Sequence, residues 1–108
     1  MDGKVLGRIF MAEFGTYDGY PYLIGLHLGF NISNKAVMDG GKYTVNISSK
    51  CKCTPEERAS SITELFEKVA EILKDAKVNC VSSLIGKPVE VTIEKNTFKD
   101  FRILTEVL

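Results

Sequence analysis

Large apolar side chains recur at every second position from Tyr22 to Ile32. Tyr22, Ile24, Leu26, Leu28, Phe30 and Ile32 line one side, while Leu23, Gly25, His27, Gly29 and Asn31 lie between them. A period of two belongs to a β-strand, so residues 17–33 read as a strand with one dressed face and one nearly bare face. Residues 4–14, KVLGRIFMAEF, alternate less cleanly. Val5, Ile9 and Met11 oppose Leu6, Phe10 and Phe14, which predicts a central strand or one that meets a second chain. Gly15, Asp18-Gly19 and Pro21 supply turn chemistry between the two. The segment NISNKAVMDGG, with Asn34 and the Asp39-Gly40-Gly41 turn, reads as irregular. KYTVNIS then reads as a third strand, with Tyr43, Val45 and Ile47 on one face.

The period changes after Cys53. Thr54-Pro55-Glu56-Glu57 carries a capping box, with the proline at the first helical position, where its missing N–H is no loss. Ile62, Leu65, Phe66, Val69, Leu73 and Ala76 follow at helical spacing, and Glu64, Glu67, Lys68, Glu71 and Lys74 occupy the other side. The last quarter alternates again through Val89, Val91 and Ile93. It turns at Lys95-Asn96 and returns through Phe101, Ile103 and Leu104, with the apolar Val107-Leu108 pair expected to dock. The pattern predicts a single α+β domain over residues 1–108. Its sheet is mostly antiparallel, made of three N-terminal strands and a C-terminal hairpin, with one amphipathic helix on one face.

With 108 residues, the chain has room for one core. Fourteen basic residues balance fourteen acidic ones. That balance disfavours a general nucleic-acid binder, which carries a positive excess, and leaves self-association unopposed, so a homo-oligomer is expected. The N-terminal segment MDGKVLGRIFMAEFG has charges inside its apolar run and does not read as a secretion signal. No stretch is long enough to span a bilayer, so no membrane partner is expected. The odd number of cysteines, Cys51, Cys53 and Cys80, reads as free thiols in a reducing compartment.

Candidate chemistry concentrates at the bare face. Two glycines on one strand face mark a close approach, by the chain's own backbone, a second subunit or a flat ligand ring; a bulge or a sharply coiled strand is the plainer alternative. His27 stands between Gly25 and Gly29. Tyr17, Tyr20 and Tyr22 with Asp18 offer stacking faces and polar tips, or else cover a sheet edge. Arg102 is the cation best placed to grip a phosphate or carboxylate, unless it pairs with Asp100 or Glu106. Cys-x-Cys has too short a gap for the usual zinc pair, so paired or buried thiols are favoured and neither metal nor cofactor is expected. No nucleophile–base pair or phosphate loop is present, so no catalytic residue is assigned.

The tail LKDAKVNCVSSLIGKPVEVTIEKNTFKDFRILTEVL resembles that of a group of small bacteriophage and prophage accessory proteins. It shares LKDAKV, L-x-G-x-P-V-E-V-T and R-I-L-T-E-V-L. Asp18, Gly25, Gly40, Thr54, Glu57 and Arg102 match the pattern of that group. Phe101 and the Cys-Lys-Cys segment stand where the group tends to carry tryptophan. The resemblance implies a counter-defence role in the host cytoplasm. The expected function is a non-enzymatic sponge for a nucleotide-like host immune signal, with Tyr17, Asp18, Tyr20, Tyr22, Gly25, His27, Gly29 and Arg102 as its ligand-binding residues. The alternatives are a protein inhibitor of a host defence complex and a morphogenesis or regulatory protein.

Overall fold

The computed structural model describes residues 2–108. Six antiparallel strands and one helix build the α+β architecture. The strands are β1 (Gly3–Tyr17), β2 (Tyr20–Ile32), β3 (Lys35–Met38), β4 (Tyr43–Asn46), β5 (Pro88–Glu94) and β6 (Thr97–Ile103). The helix is α1 (Pro55–Ala76), and short 3-10 turns occupy Val81–Leu84 and Thr105–Val107. The sheet order is β3-β2-β1-β5-β6, with β4 also on β2.

β1 is central, as its two apolar faces imply, but it changes partner along its length. Residues 3–8 pair with β5, and residues 8–17 pair with β2. The change occurs at a bulge: Ile9 opposes Phe30 and Met11 opposes Gly29, which leaves Phe10 as the extra residue. A bulge bends its strand and re-aims the side chains beyond it. Buried Ile9 and Ala12 therefore sit three positions apart, and the period-two pattern of the sequence is lost there. β6 repeats the device. Thr92 opposes Asp100 and Ile93 opposes Phe98, so Lys99 is extra and both Phe98 and Phe101 reach the core.

The two bulges fold the sheet into two wings whose outer strands, β3 and β6, touch. Aromatic rings join the wings. Phe30 of β2 stacks on Phe98 at 5.3 Å with a 7° tilt and meets Phe101 at 5.0 Å, and Tyr43 of β4 meets Phe101 edge-on at 6.0 Å. The Tyr43 hydroxyl is buried without a hydrogen-bond partner. Burial, and then the Asp100 and Asp39 carboxylates, push its pKa above the ordinary tyrosine value.

Four strands precede the helix rather than three. Lys35–Met38, read from sequence as irregular, pairs with Gly29–Ile32 after a tight turn at Ser33-Asn34, whose φ angles are 45° and 67°. β3 and β4 run along the same edge of β2 as one strand interrupted at Asp39–Lys42. Asp39, only 5% exposed, fills the gap. Its Oδ2 accepts the Leu28 N–H at 2.9 Å and its Oδ1 the Gly41 N–H at 3.0 Å, while its own N–H donates to the Leu28 carbonyl at 3.1 Å. The carboxylate replaces the ladder bond that the interruption removes.

The capping box forms as the sequence predicts. Thr54 Oγ1 accepts the Glu57 N–H at 3.0 Å, and Glu57 Oε1 accepts the Thr54 N–H at 2.9 Å. α1 packs mainly on β4 and also touches β6, through Leu65, Ile72 and Ala76 with Val69 and Leu73 beside them. Phe66, assigned by spacing to the core stripe, is 60% exposed and meets only the rim, edge-on to Phe14 at 6.2 Å; Ile72 takes the buried place. Val107 and Leu108 are exposed rather than docked. Among the described residues, no helix is long and apolar enough to cross a membrane.

The sharp coiling rests on glycine. A Cβ at Gly25 would lie 2.1 Å from the Tyr43 carbonyl oxygen, and one at Gly7 would lie 2.4 Å from that of Asn31. At Gly15 a Cβ would meet nothing within 4 Å. Gly25→Ala is therefore expected to destabilise the fold by about 2–3 kcal/mol, and Gly15→Ala to be neutral or stabilising by up to about 0.5 kcal/mol, in paired urea titrations. Asp39→Ala strands two backbone donors, one of them buried. It is expected to cost about 2 kcal/mol in the same assay, with Asp39→Asn, which keeps one acceptor oxygen, falling between.

Candidate functional site

The bulge at Phe10 reverses the phase of β1 and turns Met11 and Glu13 outward, beside His27, which faces outward between buried Leu26 and Leu28 of β2. A cleft of about 440 Å³ opens there. It is lined by Met11, Glu13, Thr16, Tyr17, Asp18, His27, Met38 and Asp39. That volume lies in the range of small-molecule sites.

His27 anchors the floor. Its Nε2 lies 3.0 Å from the Gly15 carbonyl oxygen. A carbonyl only accepts, so Nε2 carries the proton and donates, and Nδ1 remains as the second polar atom of the ring. Glu13 is the cross-strand partner of His27. The Tyr17 ring stands 5.5 Å from the His27 ring at a 50° tilt and lies close to the backbone of Gly41. Tyr20 follows at 5.9 Å from Tyr17, and Tyr22 at 6.0 Å from Tyr20. The tyrosines form a run of rings from the cleft along the end of the β1–β2 hairpin. Of Tyr17, Asp18, Tyr20 and Tyr22, only Tyr17 and Asp18 line the cleft itself. Tyr22 lines a separate hollow with Asn46, Ser48, Lys50 and Cys51.

The bare glycine face is not bare in the fold. Gly25 is covered by the backbone of β4, which passes too close for any side chain. Gly29 is covered by the chain's own rings and thioether: a Cβ there would lie 2.8 Å from two Phe10 ring carbons and 3.1 Å from Met38 Sδ. Both glycines thus serve close packing within the chain, and the open surface lies over His27 between them.

Arg102 is not brought to the cleft. It lies on β6, in the other wing, with its guanidinium held by carboxylates. Nη1 and Nη2 reach Glu106 at 3.1 and 3.0 Å, and Nε reaches Glu90 Oε1 at 3.1 Å. The bonds to Glu106, and then to Glu90, raise the guanidinium pKa, and the Glu106 carboxyl is held below its usual range by Arg102. The pairing weighed from sequence is the arrangement found, and the fork that would grip a phosphate is occupied.

Sequence reasoning missed Met11, Glu13, Thr16, Met38 and Asp39. Glu13 follows once the β1–β2 register is known. Met38 and Asp39 belong to a segment whose strand is only four residues long, too short for alternation to show. Among the described residues, no lysine or arginine lines the cleft, whose charged groups are carboxylates. Among the described residues, no group of three or more His, Cys, Asp or Glu side chains is arranged to hold a metal ion. A scan against protein-family models and searches of curated proteins and of solved structures found nothing that matches this chain.

Proposed function

We propose that this chain is a non-enzymatic binding protein that takes a planar, base-like group into the cleft beside Tyr17 and His27 and acts by sequestering its ligand. The observation that carries this reading is the cleft itself. Tyr17 supplies a stacking face, thioethers of Met11 and Met38 supply a polarizable wall, and the Glu13 and Asp18 carboxylates supply acceptors for ring or exocyclic N–H groups. The resemblance to phage accessory proteins supports a counter-defence use in the host cytoplasm, with a nucleotide-like immune signal as the captured species.

The acidic lining refines the ligand class. Carboxylates repel phosphate, and the cation expected to hold it, Arg102, is paired elsewhere. Recognition therefore falls on the base, and the phosphates of a nucleotide-like ligand project out of the cleft. A homo-oligomer remains part of the proposal, because a second copy brings further side chains, cations included, to the open side.

A second reading, a protein inhibitor of a host complex, is favoured by the outward apolar side chains of the same sheet. Leu6 is 65% exposed, Phe10 38% and Met38 46%. A patch of this kind is a protein-docking feature.

Calorimetric titration with nucleosides, the matching nucleoside monophosphates and cyclic dinucleotides tests the first reading. A nucleoside is expected to bind within about threefold of its phosphorylated form, and Tyr17→Ala to weaken binding about tenfold or more through lost stacking. Ligand released by heat should be intact. Binding that depends on phosphate, or a cleaved product, would overturn the reading. Silence toward every base, together with capture of one host protein, would establish the second.

A further inference from the structure

The loop before α1 holds a second chemical feature, independent of the cleft. Cys51 and Cys53 bring their Sγ atoms to 2.8 Å, and both are free thiols. Arg58, one turn into the helix, lines the same hollow as both cysteines, and its interaction with Cys53, then Cys51, raises the guanidinium pKa. Arg58 Nη2 donates to the Ser48 carbonyl at 2.7 Å, while its Nε is buried without a hydrogen-bond partner. A hollow of about 500 Å³ opens beside the pair. Its lining includes Ser49, Pro55, Ala59 and Ile62 together with both cysteines and Arg58. Cys80 is elsewhere, exposed and bonded to Ser82 and Ser83.

The Cys51 thiol donates toward Cys53 Sγ, so the two sulfurs are close enough to act on one another. The bond to Cys53, and then Arg58, hold the Cys51 thiol below its ordinary range. Lys50 and Lys52 flank the pair in sequence and add positive charge around it. A closed metal site is not built here, because among the described residues no third ligand joins the two sulfurs.

We infer that Cys51 and Cys53, facing Arg58, form a thiol–disulfide exchange site for low-molecular-weight disulfides that carry carboxylates. The Cys51 thiolate attacks one sulfur of the small disulfide. A Cys51–substrate mixed disulfide forms, and the first substrate thiolate leaves, taking the proton of Cys53. The Cys53 thiolate then attacks Cys51 Sγ. The Cys51–Cys53 bond closes and the second substrate thiolate leaves. The protein pair is oxidised by two electrons, and the small disulfide is reduced to two thiol equivalents. Arg58 pairs with a substrate carboxylate and stabilises the attacking thiolate.

The test uses the full chain in a Cys80→Ser background, so that only this pair reports. The protein is mixed with oxidised glutathione, quenched with an alkylating agent and weighed by mass spectrometry. The expected product is an unalkylated species lighter by two hydrogens and free of adduct. Cys53→Ser is expected to stop at one stable glutathione adduct on Cys51. Arg58→Gln should slow the first step about tenfold, with Arg58→Lys restoring most of the rate. Uncharged hydroxyethyl disulfide should react more slowly and be less affected by Arg58→Gln. A protein that accumulates adducts on both cysteines without closing the bond, or that does not react, would overturn the exchange site. A rate for the uncharged disulfide equal to that for glutathione, with the same dependence on Arg58, would overturn the assignment to carboxylate-bearing substrates.

Discussion

Backbone approach closer than a Cβ permits is the constraint on which this fold depends. At Gly25 the carbonyl of Tyr43, and at Gly7 that of Asn31, occupy the space that a side chain would need. These contacts let β4 and the end of β2 pass tightly over their neighbours. The bulges at Phe10 and Lys99 supply the matching bends. A flat sheet of the same strands would leave Phe30, Phe98, Phe101 and Tyr43 without one another. The folded sheet stacks them between its wings. α1 then closes the core along β4, with Leu65, Ile72 and Ala76 inward. Asp39 lets β3 and β4 share an edge of β2 by standing in for the ladder at Leu28.

The same bending decides what the outward face offers. The dressed side of β2 is spent on the core. On its other side, two positions are filled by the chain's own atoms and one, His27, stays at the floor of a cleft. The phase change at Phe10 brings Met11 and Glu13 to that cleft, which a regular strand would not do. Charge then sets the proposed chemistry. Carboxylates without a lysine or arginine suit the N–H edge of a base far better than its phosphate. The run from Tyr17 through Tyr20 to Tyr22 extends this surface to a separate hollow whose lining includes Cys51.

Where local chemistry decides the structure, the sequence was readable. Thr54, Pro55 and Glu57 make the helix start that their order implies. Lys95-Asn96 turns as expected, with φ angles of 52° and 60°. The apolar alternation of β2 ends on buried Leu26, Leu28, Phe30 and Ile32. Long-range decisions were hidden. An extra residue in a strand leaves no local signature, so the phase of β1 was misread beyond its bulge. Phe66 fits the helical stripe by spacing, yet it is exposed and meets Phe14 at the rim, while Ile72 is buried. The glycines did mark close approach; which neighbour approached was settled only by the pairing of β4 and the placement of Phe10. Arg102 found its acids because Glu90 is its cross-strand partner and Glu106 lies four residues further along the chain, in the 3-10 turn that follows β6.

The central claim is that the coiled sheet fills Gly25 and Gly29 from within the chain and leaves the surface over His27 open. Solvent paramagnetic relaxation, read by NMR on side-chain signals with a soluble gadolinium probe, addresses it directly. Strong broadening of Tyr17, His27 and Met11, with Leu26, Leu28 and Phe30 protected, is the predicted result. Protection of His27 and Tyr17 to the level of Phe30 would contradict the account.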